Sequence, residues 1–289
     1  MSLEASELIL NADQSIYHLN LHPEDIADTI ILVGDPGRVA RVSEYFDSLE
    51  VRKSKREFIT HTGRYRGKRL SVVSTGIGTD NVDIVLNELD ALVNIDFREK
   101  KIKENLTRLR LVRLGTSGSI QPDIPVGSIV LSELAIGFDG LLQFYDSGRV
   151  QLADIQFAFL EFTGWSVLKP VPYVVKADPD LCEKLYSETV VKGFTATNSG
   201  FYGPQGRSLR LPLEDPDLNQ KLAAFRHQGL RITNMEMETA GIFGLAALLG
   251  HAASAVNCIL ANRPSGTFSR EPAKDIDRLI RYTLDKLTN

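Results

Sequence analysis

Short apolar runs alternate along the chain with longer segments whose apolar residues return every three to four positions. A brief apolar run bounded by turn residues fits a buried strand, and the 3.6-residue recurrence fits an amphipathic helix. Residues 29–33 are predicted as the first strand, closed by Gly34-Asp35-Pro36-Gly37, with helical spacing over 38–46. A second strand is predicted over 70–74, ending in Thr75-Gly76-Ile77-Gly78, followed by a helix over 80–93. A third, over 109–114, runs into Gly115-Thr116-Ser117-Gly118. Further strands are expected over 126–131, 171–175 and 194–197, then a helix over 235–249, a central strand over 252–260 and a closing helix over 275–287. This alternation favours an α/β fold over an all-β sandwich. The charged stretch 97–107 reads as a solvated extension, because Glu99 and Glu104 dilute what would otherwise be a basic patch. No linker, repeat or low-complexity tract divides residues 1–289, so a single domain is expected.

Composition narrows the function classes without choosing among them. With 43% hydrophobic and 24% charged residues, the chain is ordinary for a soluble globular protein. A formal net charge of −4 argues against a general nucleic-acid binder, whose footprint is basic. An anionic small substrate stays open, because a few arginines in one pocket outweigh a mildly acidic surface. Cys182 and Cys258 lie far apart without metal-ligand spacing, as expected of a reduced, intracellular protein. No basic-then-apolar leader and no apolar stretch of membrane length is present, so a cytoplasmic protein without a membrane partner is expected.

The candidate chemistry begins at the three glycine-rich turns. Glycine lets backbone approach a ligand and present its N–H groups, and in open α/β sheets ligands lie beyond the carboxyl ends of strands. Arg38 follows the first turn and Arg113 precedes the third, with Thr116 and Ser117 adding hydroxyl donors. Arginine is the fork-shaped partner of phosphate. Neither GxxxxGK[ST] nor GxGxxG occurs, so neither a P-loop nor a dinucleotide cofactor is indicated. In Asn234-Met235-Glu236-Met237-Glu238 the carboxylates have two readings: compensation of a helix N-terminus, or a pocket carboxylate accepting from sugar hydroxyls beside a polarizable methionine wall. In Phe201-Tyr202-Gly203-Pro204-Gln205-Gly206-Arg207, the Gln205 amide offers a donor and an acceptor, and Arg207 offers donors only. That combination complements the acceptor–donor–acceptor edge of uracil. A solvated turn accounts for the same residues.

Taken in order, Ser15-Ile16-Tyr17-His18-Leu19, Gly34-Asp35-Pro36-Gly37-Arg38-Val39, Lys55-Arg56-Glu57-Phe58, Ser74-Thr75-Gly76-Ile77-Gly78, Arg113-Leu114-Gly115-Thr116-Ser117-Gly118, residues 201–207 and residues 234–239 span nearly the whole chain. In this order they resemble the nucleoside phosphorylase-I superfamily and, within it, the uridine phosphorylases. The resemblance implies an α/β domain with a mixed central sheet, partly closed into a barrel and flanked by helices. It implies a pentosyltransferase that cleaves uridine, with deoxyuridine or thymidine as further candidate substrates, inorganic phosphate as co-substrate and no cofactor. Gly34, Arg38, Arg113 and Thr116 would bind phosphate, joined by Arg56 of a neighbouring subunit. Met237, Glu238 and Thr116 would hold the ribose, with His18 reaching its 5′-hydroxyl from the neighbour. Phe201 and Gly118 would wall the base, Gln205 and Arg207 would read it, and Arg263 would order the loop above it. Arg207, Gln205, Arg113 and Glu238 would carry catalysis. A shared site implies a homo-oligomer, either a dimer or a trimer of dimers.

Some positions depart from the family pattern. Ser117 stands where threonine is common and keeps the donor, and the 97–107 connection is longer than usual. Of a monovalent-cation site between subunits, Glu57 and Ile77 match while Asn81 replaces a serine, so no metal is expected. Purine-cleaving members carry an aspartate where this chain has Ala261-Asn262-Arg263. Hydrolytic members need no set of phosphate arginines, and a non-catalytic nucleoside-binding paralogue is opposed only by the completeness of the set. His22, His61, His227 and His251 match nothing and are expected to be structural.

Overall fold

In the computed structural model, which describes residues 3–289, β1 (Thr29–Val33) leads into α1 (Pro36–Ser43), the hairpin of β2 (Ser48–Lys55) and β3 (Phe58–Tyr65), and β4 (Lys68–Ser74). Then come α2 (Thr79–Asn94), β5 (Ile95–Asp96), β6 (Lys101–Ile102), β7 (Arg110–Ser119) and β8 (Ile129–Gly137). The middle of the chain holds α3 (Ala153–Thr163), β9 (Tyr173–Lys176), α4 (Pro179–Leu185) and β10 (Val191–Thr197). It closes with α5 (Leu218–Ala224), β11 (Asn234–Glu236), α6 (Thr239–Leu249), β12 (Ala252–Asn262), β13 (Thr267–Phe268) and α7 (Pro272–Thr288).

The long strand β7 organises the sheet. Its first residues pair in parallel with β1, its full length pairs in parallel with β12, and its last two residues pair antiparallel with β11. β12 pairs with β8, β8 with β10, and β10 with β11, so five strands close on themselves as a barrel. β1, β4, β3 and β2 run outward from β7 as an open wing. Between Leu114 and Ser117, β7 has left β1 and has not yet met β11. The sheet is therefore parted at the carboxyl ends of β1 and β4, the place where open α/β sheets bind ligands. This is the mixed, partly closed sheet that the resemblance implies.

Burial explains which strands are legible. β1 is buried at every position and the last five residues of β4 are buried, as expected where helices cover both faces. The predicted strand 29–33 and the helices over 80–93 and 275–287 match their observed elements closely. The hairpin β2–β3 escapes the pattern because β2 is an outer strand with no buried residue and four basic or acidic side chains, the usual protection of an edge. The predicted strand over 126–131 is displaced, β8 running from Ile129 to Gly137. Two predictions are overturned. Gly115-Thr116-Ser117-Gly118 is not a turn but part of β7, and the helix expected over 235–249 is a strand through Glu236, with α6 starting at Thr239. Residues 97–107 are mostly exposed as expected, but their root is a small hairpin in which Ile95 faces Ile102.

α6 is buried over its first eight residues. Gly241 lets Thr79 of α2 approach closely, since a Cβ there would stand 2.9 Å from the Thr79 methyl. This close crossing brings the segment before α6 to the N-terminal end of α2, where the cavity described next is built.

Candidate active site

The parted sheet encloses a cavity of about 690 Å³. On one side Asp35 caps α1 by accepting from the Gly37 N–H at 2.9 Å, with Pro36 in the first turn. This start to the helix sets Arg38 against the cavity, 7% exposed. Arg38 Nη1 donates to the Leu114 carbonyl at 3.2 Å, its buried Nε has no partner, and no carboxylate pairs with it among the described residues. Burial, reinforced by Arg113, lowers its pKa. Asp35 and Glu238 offset this only in part, and an anion in the cavity would relieve it. Gly34 and Thr116 line the cavity beside it.

Arg113 is folded back over its own strand. A Cβ at Gly115 would coincide with the Arg113 guanidinium, so this glycine makes room for a side chain rather than for a turn. Nη2 donates to Glu238 Oε2 and lies 3.0 Å from Glu236 Oε2, while Nη1 donates to Asn257 Oδ1 at 2.5 Å. Burial opposes the charge of Arg113, but Glu236 and Glu238 outweigh it and hold its pKa up.

The two carboxylates divide their duties. Glu236 Oε2 accepts from the Glu238 and Thr239 N–H groups at 2.9 Å each, and Oε1 accepts from Thr197 Oγ1 at 2.6 Å, so Glu236 caps α6. Glu238 Oε1 accepts from the Gly78 N–H at 2.8 Å and its carboxylate faces the cavity with Met237. Burial raises the Glu238 pKa against the pull of Arg113, and Glu236 adds to the rise. Glu236 thus takes the helix-start role of the 234–238 motif, while Glu238 is the carboxylate that faces the cavity.

At the far end, a short 3₁₀ turn over Gly203–Gln205 ends on Gly206 in a left-handed conformation (φ 65°). A side chain at Gly206 would collide with Asn219, whose Nδ2 donates to the Gln205 carbonyl at 3.1 Å. Arg263 Nη2 donates to the Gly206 carbonyl at 3.1 Å. The turn is thus clamped from two sides, and Gln205 is 3% exposed rather than solvated. Arg207 Nη1 donates to Gln205 Oε1 and to the Phe201 carbonyl, both at 2.6 Å, and its guanidinium stacks 3.8 Å from the centre of the Phe201 ring. Burial and the neighbouring Arg263 lower the Arg207 pKa.

Of the residues singled out from the sequence, Gly34, Arg38, Arg113, Thr116, Gly118, Phe201, Gln205, Arg207, Met237 and Glu238 line this one cavity. Arg263 does not line it and instead holds the Gly206 carbonyl of the 203–206 turn. His18 and Arg56 also stand off the cavity wall. They share a cluster around Tyr17, whose ring is 4.7 Å from the His18 ring and 5.9 Å from the Arg56 guanidinium. Glu88 holds His18 Nδ1 at 2.6 Å. Glu57, Ile77 and Asn81 meet at the cavity edge, with Asn81 Nδ2 donating to the Ile77 carbonyl at 3.3 Å. Among the described residues no group of three or more His, Cys, Asp or Glu side chains is arranged to hold a metal ion. His61 bonds Ser43 at 2.7 Å, and His251 accepts from the Leu109 N–H at 3.2 Å, both structural contacts. Cys182 and Cys258 are buried free thiols. No helix among the described residues is long and apolar enough to cross a membrane.

The sequence reading missed Asn257, for which a lone amide inside the apolar strand 252–260 was the available signal.

The model of the phosphorylase superfamily matches residues 28–283. A uridine phosphorylase of Thermococcus kodakarensis is 29% identical over 265 residues, covering 90% of this chain and 82% of that protein. A DeoD-type purine nucleoside phosphorylase of Hahella chejuensis is 28% identical over 250 residues, covering 86% and 87%. Among solved structures, a Trypanosoma brucei nucleoside phosphorylase, described as showing uridine phosphorylase activity, superposes with a TM-score of 0.87 at 30% identity, covering 97% of this chain and 99% of that one.

Proposed function

Since the chain belongs to the phosphorylase superfamily, we propose that it cleaves uridine reversibly with inorganic phosphate, giving uracil and ribose 1-phosphate. The observation that carries this reading is the convergence, in one cavity, of Gln205 and Arg207 with Arg38, Arg113 and Glu238. A phosphate oxygen attacks C1′ of the ribose as the bond from C1′ to the base nitrogen breaks, that electron pair leaves with uracil, and the departing base takes up the proton that hydrogen phosphate gives up on becoming the ester. Arg38 and Arg113 hold the phosphate, Glu238 takes the ribose hydroxyls, and Met237 walls the sugar. Gln205 and Arg207 meet the negative charge that builds on the uracil carbonyls, which is stabilisation by groups already in place. Phosphate itself lies against the cation-like sugar, and holding both substrates together supplies much of the remaining acceleration. One eleven-stranded sheet running through the chain supports a single catalytic domain.

A purine substrate is the second reading, favoured by the 28% identity to a purine enzyme. The stretch Ala261-Asn262-Arg263 speaks against it. Asn262 Nδ2 donates to the Gln121 and Ile124 carbonyls at 2.9 and 2.8 Å, and its Oδ1 accepts from Ser265 Oγ at 2.9 Å. That amide is consumed in holding its own loop, and no carboxylate stands there to protonate a purine nitrogen.

The deciding measurement is phosphorolysis of uridine, thymidine, cytidine and inosine side by side, with chelator present and in sodium or potassium buffer. Uridine should be fastest and inosine slower by roughly 10²- to 10⁴-fold, because a purine leaves the imide-reading groups unpaired. Equal rates in both buffers are expected, with no requirement for a metal. Faster turnover of inosine overturns the pyrimidine reading, and a flat trace with uridine despite measurable uridine binding identifies a non-catalytic paralogue.

We further infer that a second copy completes the cavity. Ile77, Phe268 and Phe201 on its rim are 69%, 63% and 51% exposed, while His18 and Arg56 of the same chain stand away from it. Two inactive variants, Arg56→Ala and Glu238→Gln, should therefore regain about a quarter of wild-type activity when co-expressed, since random pairing restores one intact site per mixed dimer. Activity no higher than either variant alone would place all catalytic groups in one chain.

A further inference from the structure

A buried polar chain crosses the inside of the barrel and draws on each of its five strands. Arg113 on β7 donates to Asn257 Oδ1 on β12, and Asn257 Nδ2 donates to Ser132 Oγ on β8 at 3.3 Å. Ser132 Oγ lies 2.6 Å from Thr195 Oγ1 on β10, which donates to Asn234 Oδ1 on β11 at 3.0 Å. Asn234 Nδ2 donates to Ser117 Oγ, back on β7, at 3.0 Å. Ser132, Thr195, Asn234 and Asn257 are all 0% exposed. Small barrels are filled with side chains that are mostly apolar, and a buried polar chain destabilises the fold unless its members are all satisfied. This one is satisfied in a single direction. A guanidinium has donors only, so Asn257 must accept through Oδ1 and donate through Nδ2. Thr195 gives its proton to Asn234, so Ser132 donates to Thr195. Ser117, the last acceptor, keeps its own proton, has no protein acceptor for it among the described residues, and lines the cavity.

We propose that Asn257 is a positioning residue that sets the phosphate-facing orientation of Arg113, braced through Ser132 by the rest of the chain, whose far end leaves Ser117 as a donor into the cavity. The inference rests on the phosphorolysis proposed above and adds a group that touches neither substrate. Glu236 and Glu238 both draw on Nη2 of Arg113. Asn257 is the acceptor on Nη1, so it alone opposes their pull without adding a negative charge that would repel phosphate.

Asn257→Leu preserves side-chain size and removes the acceptor. The phosphate KM should rise about ten- to a hundredfold, the range for a lost hydrogen bond to a charged group, while the uridine KM stays within about twofold of wild type. Ser132→Ala cuts the chain one link further away and should raise the phosphate KM by a smaller factor in the same direction. Phosphate and uridine KM values rising together in a folded Asn257→Leu protein, or an unchanged phosphate KM, overturn the proposal. If Asn257→Leu does not fold, Ser132→Ala decides: an unchanged phosphate KM overturns it and a selective rise supports it. If the wild-type protein cleaves no nucleoside, it is the functional reading that fails. Calorimetric binding of inorganic phosphate, weakened by Asn257→Leu if the brace is real and unaltered if it is not, then reads the inference directly.

Discussion

Arg113→Leu is expected to abolish measurable phosphorolysis and to destabilise the fold more than any other single change in the cavity. Arg113 is the shared counter-ion of Glu236 and Glu238, each within 3.0 Å or less of its Nη2 and all three buried. Removing one partner of a buried ion pair costs about 3–5 kcal/mol, because the remaining charge is left without compensation. Two carboxylates in one desolvated space cannot both stay ionised, so one will take up a proton. The sign of the pH effect follows. The Glu238 pKa is already raised in the folded protein, and loss of Arg113 raises it further. A carboxyl with a raised folded-state pKa binds its proton more tightly in the folded than in the unfolded chain. Its destabilisation is therefore absent below the unfolded pKa and grows as pH rises towards the folded value. Urea unfolding should show Arg113→Leu closer to wild type at pH 5 than at pH 8. Arg113→Lys should recover part of the stability but little of the rate, because a point charge cannot serve Asn257, two carboxylates and a phosphate as a planar fork does. Wild-type stability at pH 8, or activity within tenfold of wild type, would show that Arg113 is not the hinge of this site.

What was legible in the sequence is what residue type alone encodes. Arg38, Arg113, Glu238, Gln205 and Arg207 carry their chemistry in their side chains, and the strand-then-glycine pattern put Arg38 just past the end of β1. What was not legible depends on packing between distant segments. Gly115 reads as a turn glycine, yet its backbone is extended and its missing Cβ is the space Arg113 occupies. Met235 and Glu236 read as helix because the apolar spacing continues from α6 without a break, while pairing with β10 makes them strand. Asn257 reads as an oddity in an apolar strand until β8 and β7 are seen on either side of it. His18 and Arg56 were given roles across a subunit boundary, and a single chain holds them together at Tyr17 but away from the cavity.

Arg207→Ala and Gln205→Ala should each lower uridine turnover by about 10²- to 10³-fold, the range for removing one preorganised donor from developing charge. The backbone should hold in the glutamine variant, because Asn219 and Arg263 clamp the turn through the carbonyls of Gln205 and Gly206 and not through the amide side chain. Arg207→Ala is less local. It frees Gln205 Oε1 and the Phe201 carbonyl together, and removes the cation stacked on the Phe201 ring. The two losses should therefore not add, and the double variant should sit close to Arg207→Ala alone. A leaving-group test separates catalysis from simple binding. With 5-fluorouridine, whose base departs as a more stable anion, stabilisation by Arg207 matters less, so the penalty of both variants should shrink. A penalty equal for both nucleosides would mean that the pair only grips the base in the ground state, and undiminished uridine turnover would remove it from the mechanism. Orientation argues for the stronger outcome. Arg207 already donates to the amide oxygen that the uracil N–H would share, so the two groups enter the reaction as one preset unit.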